Sequence, residues 1–187
     1  DPAFEELQAE VDKLSSPSAS GSVNWEKIVR FASDILAHKS KDLVVAGYLA
    51  VALVYTRRHE GLAIGVKLLT ELMGKFWEEL HPPKNRMRGR LRAMEWWAEK
   101  PEAALRQLPQ APVPAPLAAK LAEQAERLAP FMRRHMAGPP SLAAIREWLA
   151  ALAPEEEDKA APEAPKPQAA PQPAAQPKPA AETAPEI

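Results

Sequence analysis

His38, His59, His81 and His135 are the side chains best suited to hold a metal or move a proton near neutral pH. They are scattered, and none is followed four residues on by a second histidine, the spacing that sets two ligands on one helix face in H-E-x-x-H. Adjacent carboxylates occur at Glu5-Glu6, Glu78-Glu79 and Glu155 to Asp158. Neighbours on a helix point about 100° apart, so the first two pairs splay rather than share a cleft, which acid–base catalysis requires. No G-x-S-x-G elbow, phosphate loop or dinucleotide fingerprint is present, and Gly61-Leu62-Ala63-Ile64-Gly65 has the wrong spacing for the last. With no cysteine, the chain has no disulfide, no Cys-ligated zinc or iron–sulfur site and no thiol nucleophile, which fits a reducing compartment. The expectation is a protein that is not an enzyme, with no catalytic residue, no metal and no cofactor.

One cluster stands out by charge. Lys84, Arg86, Arg88, Arg90 and Arg92 place five bases in nine residues. On a helix Arg86 and Arg90 share one side, and Arg88 and Arg92 another. Such a run reads first as a solvated face with helix-end pairing, and next as a docking patch for an acidic protein surface. A nucleic-acid reader would add stacking aromatics, and Trp96 and Trp97 follow, but their spacing fits core burial equally well. With Arg57 and Arg58, the residues Arg86 and Arg88 are the candidate partner-docking positions, chosen on charge alone.

The elements that must position these residues read as helices throughout. No stretch alternates with period two. The first helix is expected over Pro2–Leu14, before a Ser-rich loop at Ser15–Ser22. Asn24 is placed to cap the second, whose stripe of Trp25, Ile28, Val29, Ala32, Ile35 and Leu36 runs to His38-Lys39. Ser40 is expected to cap the third, with the anionic Asp42 in its first turn. Leu43 to Tyr55 is apolar nearly all round, as a central helix is. The fourth is expected from His59 to Leu80. Gly61 and Gly65 lie one turn apart on it and imply close approach of another helix at Gly47 and Ala50. His81-Pro82-Pro83 stops it. The fifth is expected from Asn85 or Arg86 to Lys100, ending at Pro101. Two more follow a Pro-rich connector, Leu117 to Met136 and Ser141 to Leu152, around a Gly138-Pro139-Pro140 turn. Trp25, Trp77 and Trp97 lie on apolar stripes, whereas Trp96 and Trp148 are candidates for an exposed anchor. Together they make an all-α, antiparallel bundle of about six or seven helices.

Composition separates the chain in two. The 34 residues from Pro154 to Ile187 hold 9 prolines and 10 alanines, no aromatic residue, and seven acids against three lysines. Of the net charge of −1, this stretch carries −4 and the preceding 153 residues +3. A segment with so little to bury does not offset its ordering entropy, and is expected to be a disordered, extended linker. Since the chain opens at Asp1, the expected organisation is a folded N-terminal module and a linker to a missing C-terminal region. The longest uncharged run, Leu43 to Thr56, has 14 residues, against about 20 for a membrane span.

Several strings carry a resemblance when read in order: Asp1-Pro2-Ala3-Phe4, Trp25, the run from Ser40-Lys41-Asp42-Leu43 to Ala50, Gly61-Leu62 with Gly65-Val66, Trp77-Glu78-Glu79-Leu80-His81-Pro82, and Arg90-Leu91-Arg92-Ala93-Met94-Glu95-Trp96-Trp97. Over about residues 1 to 98 the chain resembles the ImpA N-terminal domain of type VI secretion TssA-like proteins, including the VasJ and TagA branches. It departs from their pattern at Val44, where Arg is frequent, and at Val66 and Trp97, where Leu is. The resemblance implies residues 1–100 as an ImpA-N-like helical domain; beyond it 101–153 are expected as a helical extension packed on it, and 154–187, by composition, as the disordered Ala/Pro-rich linker to the missing C-terminal region. It implies a bacterial, cytoplasmic, non-enzymatic module that helps baseplate and tail tube or sheath assembly. Its partners would be baseplate, sheath or tube proteins, with no nucleic acid and no membrane insertion. The fragment itself would be a monomer or dimer, with homo-oligomers formed through the missing region. Two other readings stand beside it, a homo-oligomerisation module of a scaffold and a basic-patch nucleic-acid-binding domain. Asp42, Leu43, Gly61, Gly65, Trp77, His81, Pro82 and Arg90 are the family-motif positions. They are read as structural, with Arg90 bridging the fifth helix to an acid or to carbonyls at the end of the fourth.

Overall fold

Apolar residues at helical spacing, and turns made by polar and Pro-rich strings, leave this chain one way to bury its surface, as helices laid side by side. The computed structural model describes residues 2–14, 22–107 and 113–151, all within the first of two compact units, 1–155 and 156–187. Among the described residues the elements are α1 (Pro2–Asp12), α2 (Trp25–His38), α3 (Leu43–Phe76), a 3-10 turn (Lys84–Arg86), α4 (Met87–Gln107), α5 (Ala115–His135) and α6 (Ala143–Ala151). No strand occurs among them, and the fold is an all-α bundle. The expected linker, 154–187, lies outside the described residues.

The centre is α3, which is a hairpin rather than a rod. At Arg58 the backbone takes φ 53° and ψ −128°, and the chain reverses between a first arm, 43–57, and a second, 59–76. The pairing of Gly61 with Leu53 and of Gly65 with Ala50 shows the arms to be antiparallel. A Cβ at Gly65 would stand 3.0 Å from the Ala50 Cα, and one at Gly61 only 1.8 Å from the Leu53 carbonyl oxygen. Gly47, expected from the sequence to receive these glycines, instead faces the Ala93 carbonyl and the Trp97 Cβ of α4. In the first arm Leu43, Val45, Ala46 and every residue from Leu49 to Val54 are buried, which is why it is apolar on all sides.

Arg58 holds a left-handed backbone conformation that only glycine adopts without cost, and strain of this kind amounts to about 1–3 kcal/mol. Its side chain is exposed. Arg58→Gly is therefore expected to stabilise the fold by about 1 kcal/mol, after the larger unfolded-state entropy of glycine is subtracted. Urea titration checks this, as a higher midpoint at an unchanged slope.

The remaining helices wrap the hairpin. α1 is held to α2 by Glu10, whose carboxylate accepts from the Asn24 backbone N–H at 3.1 Å and pairs with Lys13 at 2.8 Å. The Lys13 ammonium is the main reason the Glu10 carboxyl lies below its ordinary range. α2 begins at the Asn24 cap, whose side-chain oxygen accepts from Lys27 N–H at 2.9 Å. It stacks Trp25 on Tyr55 of the first arm, centroids 3.9 Å apart. α5 lies along the second arm, where Phe131 meets Trp77 edge-on at 5.3 Å and Arg127 reaches Glu71 at 3.6 Å. α6 adds Trp148 against His59 and an Arg146–Glu126 pair at 3.3 Å.

Three of the differences from the expected boundaries have a clear physical reason. The cap of α3 is Asp42, not Ser40: its extended backbone aims the carboxylate at the N–H groups of Val44 (2.7 Å) and Val45 (3.2 Å), where an anion also suits the helix dipole. The second arm ends at Phe76, four residues early, because the chain must turn to bring His81 beside residues 41–43. α4 does not stop at Pro101 but continues to Gln107. A proline removes one backbone donor, and α5 likewise runs through Pro130, on an exposed face.

Candidate docking surface

The two ends of the α3 hairpin differ in construction, and the base is the more organised. Leu43 N–H donates to the His81 carbonyl and His81 N–H to the Lys41 carbonyl, both at 2.8 Å. The His81-Pro82 peptide bond is cis. His81 itself is exposed and Pro82 half-buried. Beneath them Arg90 of α4 is fully buried. Its guanidinium donates to the carbonyls of Trp77 (2.9 Å), Leu80 and Pro82 (2.6 Å), and its Cζ lies 4.4 Å from the centroid of the Trp77 ring. Burial pushes the guanidinium below its ordinary pKa, and the charge of Glu78 opposes that shift. Among the sequence-named positions, Asp42, Leu43, Trp77, His81, Pro82 and Arg90 are thus gathered at one end of the hairpin, and Gly61 and Gly65 lie along the second arm.

α4 leaves this base in the direction of the first arm, since Gly89 faces Pro82 and Trp97 faces Gly47. Between them a groove of about 290 Å³ opens, lined by Val44 and Tyr48 of α3, by Pro82, and by Gly89, Arg92 and Trp96 of α4. Tyr48 and Trp96 meet edge-to-face at 4.9 Å. Burial pushes the Tyr48 hydroxyl up from its ordinary pKa. A Cβ at Gly89 would lie 3.1 Å from the Pro82 Cγ, so the glycine keeps this wall close to α4.

The basic cluster runs from the 3-10 turn into the same helix. Arg86, Arg88 and Arg92 are exposed and, among the described residues, in no ion pair, whereas Lys84 is held by Glu78 at 2.6 Å. Arg57 and Arg58 are exposed too, but at the opposite end of the hairpin, roughly 20 Å away at 1.5 Å of rise per helical residue. The four docking candidates are therefore divided between two ends. Sequence reading missed the groove, because Val44, Tyr48 and Gly89 carry no signal as individual residues. Trp96, set apart as a candidate anchor, was the one pointer to it.

The far end holds a half-buried histidine. His59 stands 5.2 Å from the Trp148 ring, and its Nε2 is buried without a hydrogen-bond partner. Burial, and secondarily the charge of Arg58, lowers its pKa from 6.5. The folded protein keeps it neutral where the unfolded chain protonates it, so stability present above 6.5 is lost as pH falls toward the folded value. Between about pH 7.5 and 5.5 the melting temperature is expected to fall further than in His59→Phe, which keeps the ring contact and removes the titration.

Among the described residues no three His, Asp or Glu side chains come together as a metal site, and no helix is long and apolar enough to cross a membrane. The family model for "ImpA, N-terminal, type VI secretion system" matches residues 1–99. The chain belongs to the ImpA N-terminal family. It is thus a component of a type VI secretion system. The ImpA match takes in α1, α2, the whole α3 hairpin and α4 as far as residue 99, hence the Arg90 cage and the groove, while α5 and α6 lie beyond it. No curated protein and no solved structure matches the chain.

Proposed function

We propose that the chain is a non-enzymatic docking module of a TssA-like protein, working in the bacterial cytoplasm and helping baseplate and tail tube or sheath assembly through protein–protein contacts. The observation that carries this reading is an aromatic-lined groove beside arginines that have no ion pair among the described residues, on a base where Arg90 bonds three carbonyls. Interfaces favour aromatic and arginine anchors held in place before the partner arrives.

The test uses purified baseplate, sheath and tube proteins of the same secretion system, captured on the full chain at physiological salt. Arg86 and Arg88 are solvent-exposed, so Arg86→Glu with Arg88→Glu is expected to leave folding intact. It should weaken capture by tenfold or more, about 1.4 kcal/mol, and flatten its salt dependence. Arg57→Glu with Arg58→Glu asks the same of the other end. If neither pair changes capture, the basic residues are not the docking surface. If no secretion protein is captured and the mass rises with concentration, the chain is an oligomerisation module instead.

A further inference from the structure

We propose that the groove between the start of α3 and α4 receives a short acidic segment of a partner protein, which inserts one apolar side chain against Trp96 and sets its carboxylates on Arg88 and Arg92. This inference rests on the docking reading and gives its partner a chemistry. At about 290 Å³ the groove is at the small end of the range for ligand sites, with room for a side chain or two rather than a nucleotide or extended cofactor. Its walls are Val44, Pro82 and the Tyr48–Trp96 pair; Arg92 is the charged residue that lines it, and Lys100 adds a second positive charge 5.9 Å from the Trp96 ring centroid. An apolar side chain entering there meets mostly apolar wall, with Tyr48 and Arg92 its polar neighbours.

The rim sets the sign of the occupant. Arg88 and Arg92 lie one turn apart on α4, so two like charges sit on neighbouring positions of one helix face. Neither has an anionic partner among the described residues, although Glu95 and Glu99 are on the same helix. A carboxylate between them removes the repulsion and accepts the bidentate hydrogen bonds that guanidinium groups offer. A nucleic acid would satisfy the arginines but bring no apolar side chain to the Val44, Pro82 and Tyr48–Trp96 walls, and the oligo-dT arm below separates the two.

The probe is a set of fluorescein-labelled ten-residue peptides, each with a single Leu, Phe or Trp flanked by Glu and Asp. Controls replace the acids by Lys, or the apolar residue by Ser. An oligo-dT strand serves as the nucleic-acid arm. Anisotropy is read on the full chain, with the Trp96 indole N–H followed by NMR. At least one acidic peptide is expected to bind and to shift the Trp96 resonance, with a loss of tenfold or more in either control peptide. Arg88→Glu with Arg92→Glu should cost tenfold or more. Val44→Arg is the sharper variant, because it fills the groove while adding positive charge. It should weaken the peptide by tenfold or more, whereas attraction by charge alone would strengthen it. Thermal melts confirm that both variants fold.

Equal binding of acidic and Lys peptides, no shift at Trp96, unchanged or stronger binding by Val44→Arg, or preference for oligo-dT would each overturn the proposal. Capture of a secretion-system protein that survives Val44→Arg overturns the groove and leaves the docking reading standing. Peptide binding without capture of any such protein overturns the docking reading and not the groove.

Discussion

Gly61→Ala is expected to destabilise the protein by about 3 kcal/mol, the upper part of the range for forced overpacking, and to lower its melting temperature by roughly 6–12 °C. The added methyl would meet the Leu53 carbonyl oxygen at 1.8 Å and the carbonyl carbon at 2.4 Å. Both are backbone, so no side chain can rotate out of the way. The reversal at Arg58 is only three residues before Gly61, so the arms have no slack to separate locally and the turn itself must open. Opening it also withdraws Gly65 from Ala50 one turn further on. Gly74 on the same helix is the control. Nothing lies within 4 Å of a Cβ there and the position is exposed, so Gly74→Ala should stabilise by the helix-propensity difference, about 1 kcal/mol. The same chemical change is thus expected to have opposite signs thirteen residues apart. Equal small effects at both positions in thermal or urea denaturation would mean that the arms do not approach as described.

The contrast between these glycines marks how far the sequence could be read. Two glycines one turn apart announce a close helix crossing, and the apolar run 43–56 announces a central helix, because helical period and composition are local properties. Which helix supplies the partner is not local. Gly47 and Ala50 are three residues apart and were natural candidates together, yet they point to different neighbours, Gly47 to α4 and Ala50 to the second arm. The reversal at Arg58 was legible only as a polar interruption, Thr56 to Glu60. The turn uses an arginine in a conformation usually left to glycine, so no turn residue advertises it. Pro101 was read as a stop by the same local logic, but a helix passes a proline when its other contacts hold it. The groove needs residues 44, 82 and 96, brought together by the hairpin and by the direction of α4, and no spacing rule connects them. The basic cluster was visible as a run, but the run conceals two fates. Arg90 is wholly buried, while Arg88 and Arg92, two residues to either side, face solvent. Alternate positions on a helix separate by about 200°, which makes this division a consequence of the helix itself.

Arg90 carries the second large expected effect, and it links stability to the surface. Its guanidinium satisfies three carbonyls, of Trp77, Leu80 and Pro82, at the place where the second arm ends and the chain turns toward α4. Those carbonyls belong to residues outside any regular helix, so no backbone donor replaces Arg90 if it is lost. Arg90→Met keeps much of the volume and leaves the carbonyls buried without donors, at about 1–3 kcal/mol for each one that water fails to reach, so a total of about 4 kcal/mol is expected. Arg90→Lys keeps the charge, but an ammonium is a point donor on a flexible stem. It cannot span three acceptors in a plane or lie flat on the Trp77 ring, and its expected cost is about 2 kcal/mol. The order Arg, Lys, Met in thermal stability separates hydrogen-bond geometry from charge, since a purely electrostatic role would leave Lys near the wild type. Pro82 gives the substitution a second readout. The residue whose carbonyl Arg90 binds is also a wall of the groove, packed against Gly89. Arg90→Lys, still folded at a temperature well below its melting point, is expected to lose binding at the groove although Arg90 itself touches no partner. Wild-type affinity in a protein of lowered melting temperature would show that the base of the hairpin and the docking surface are mechanically independent.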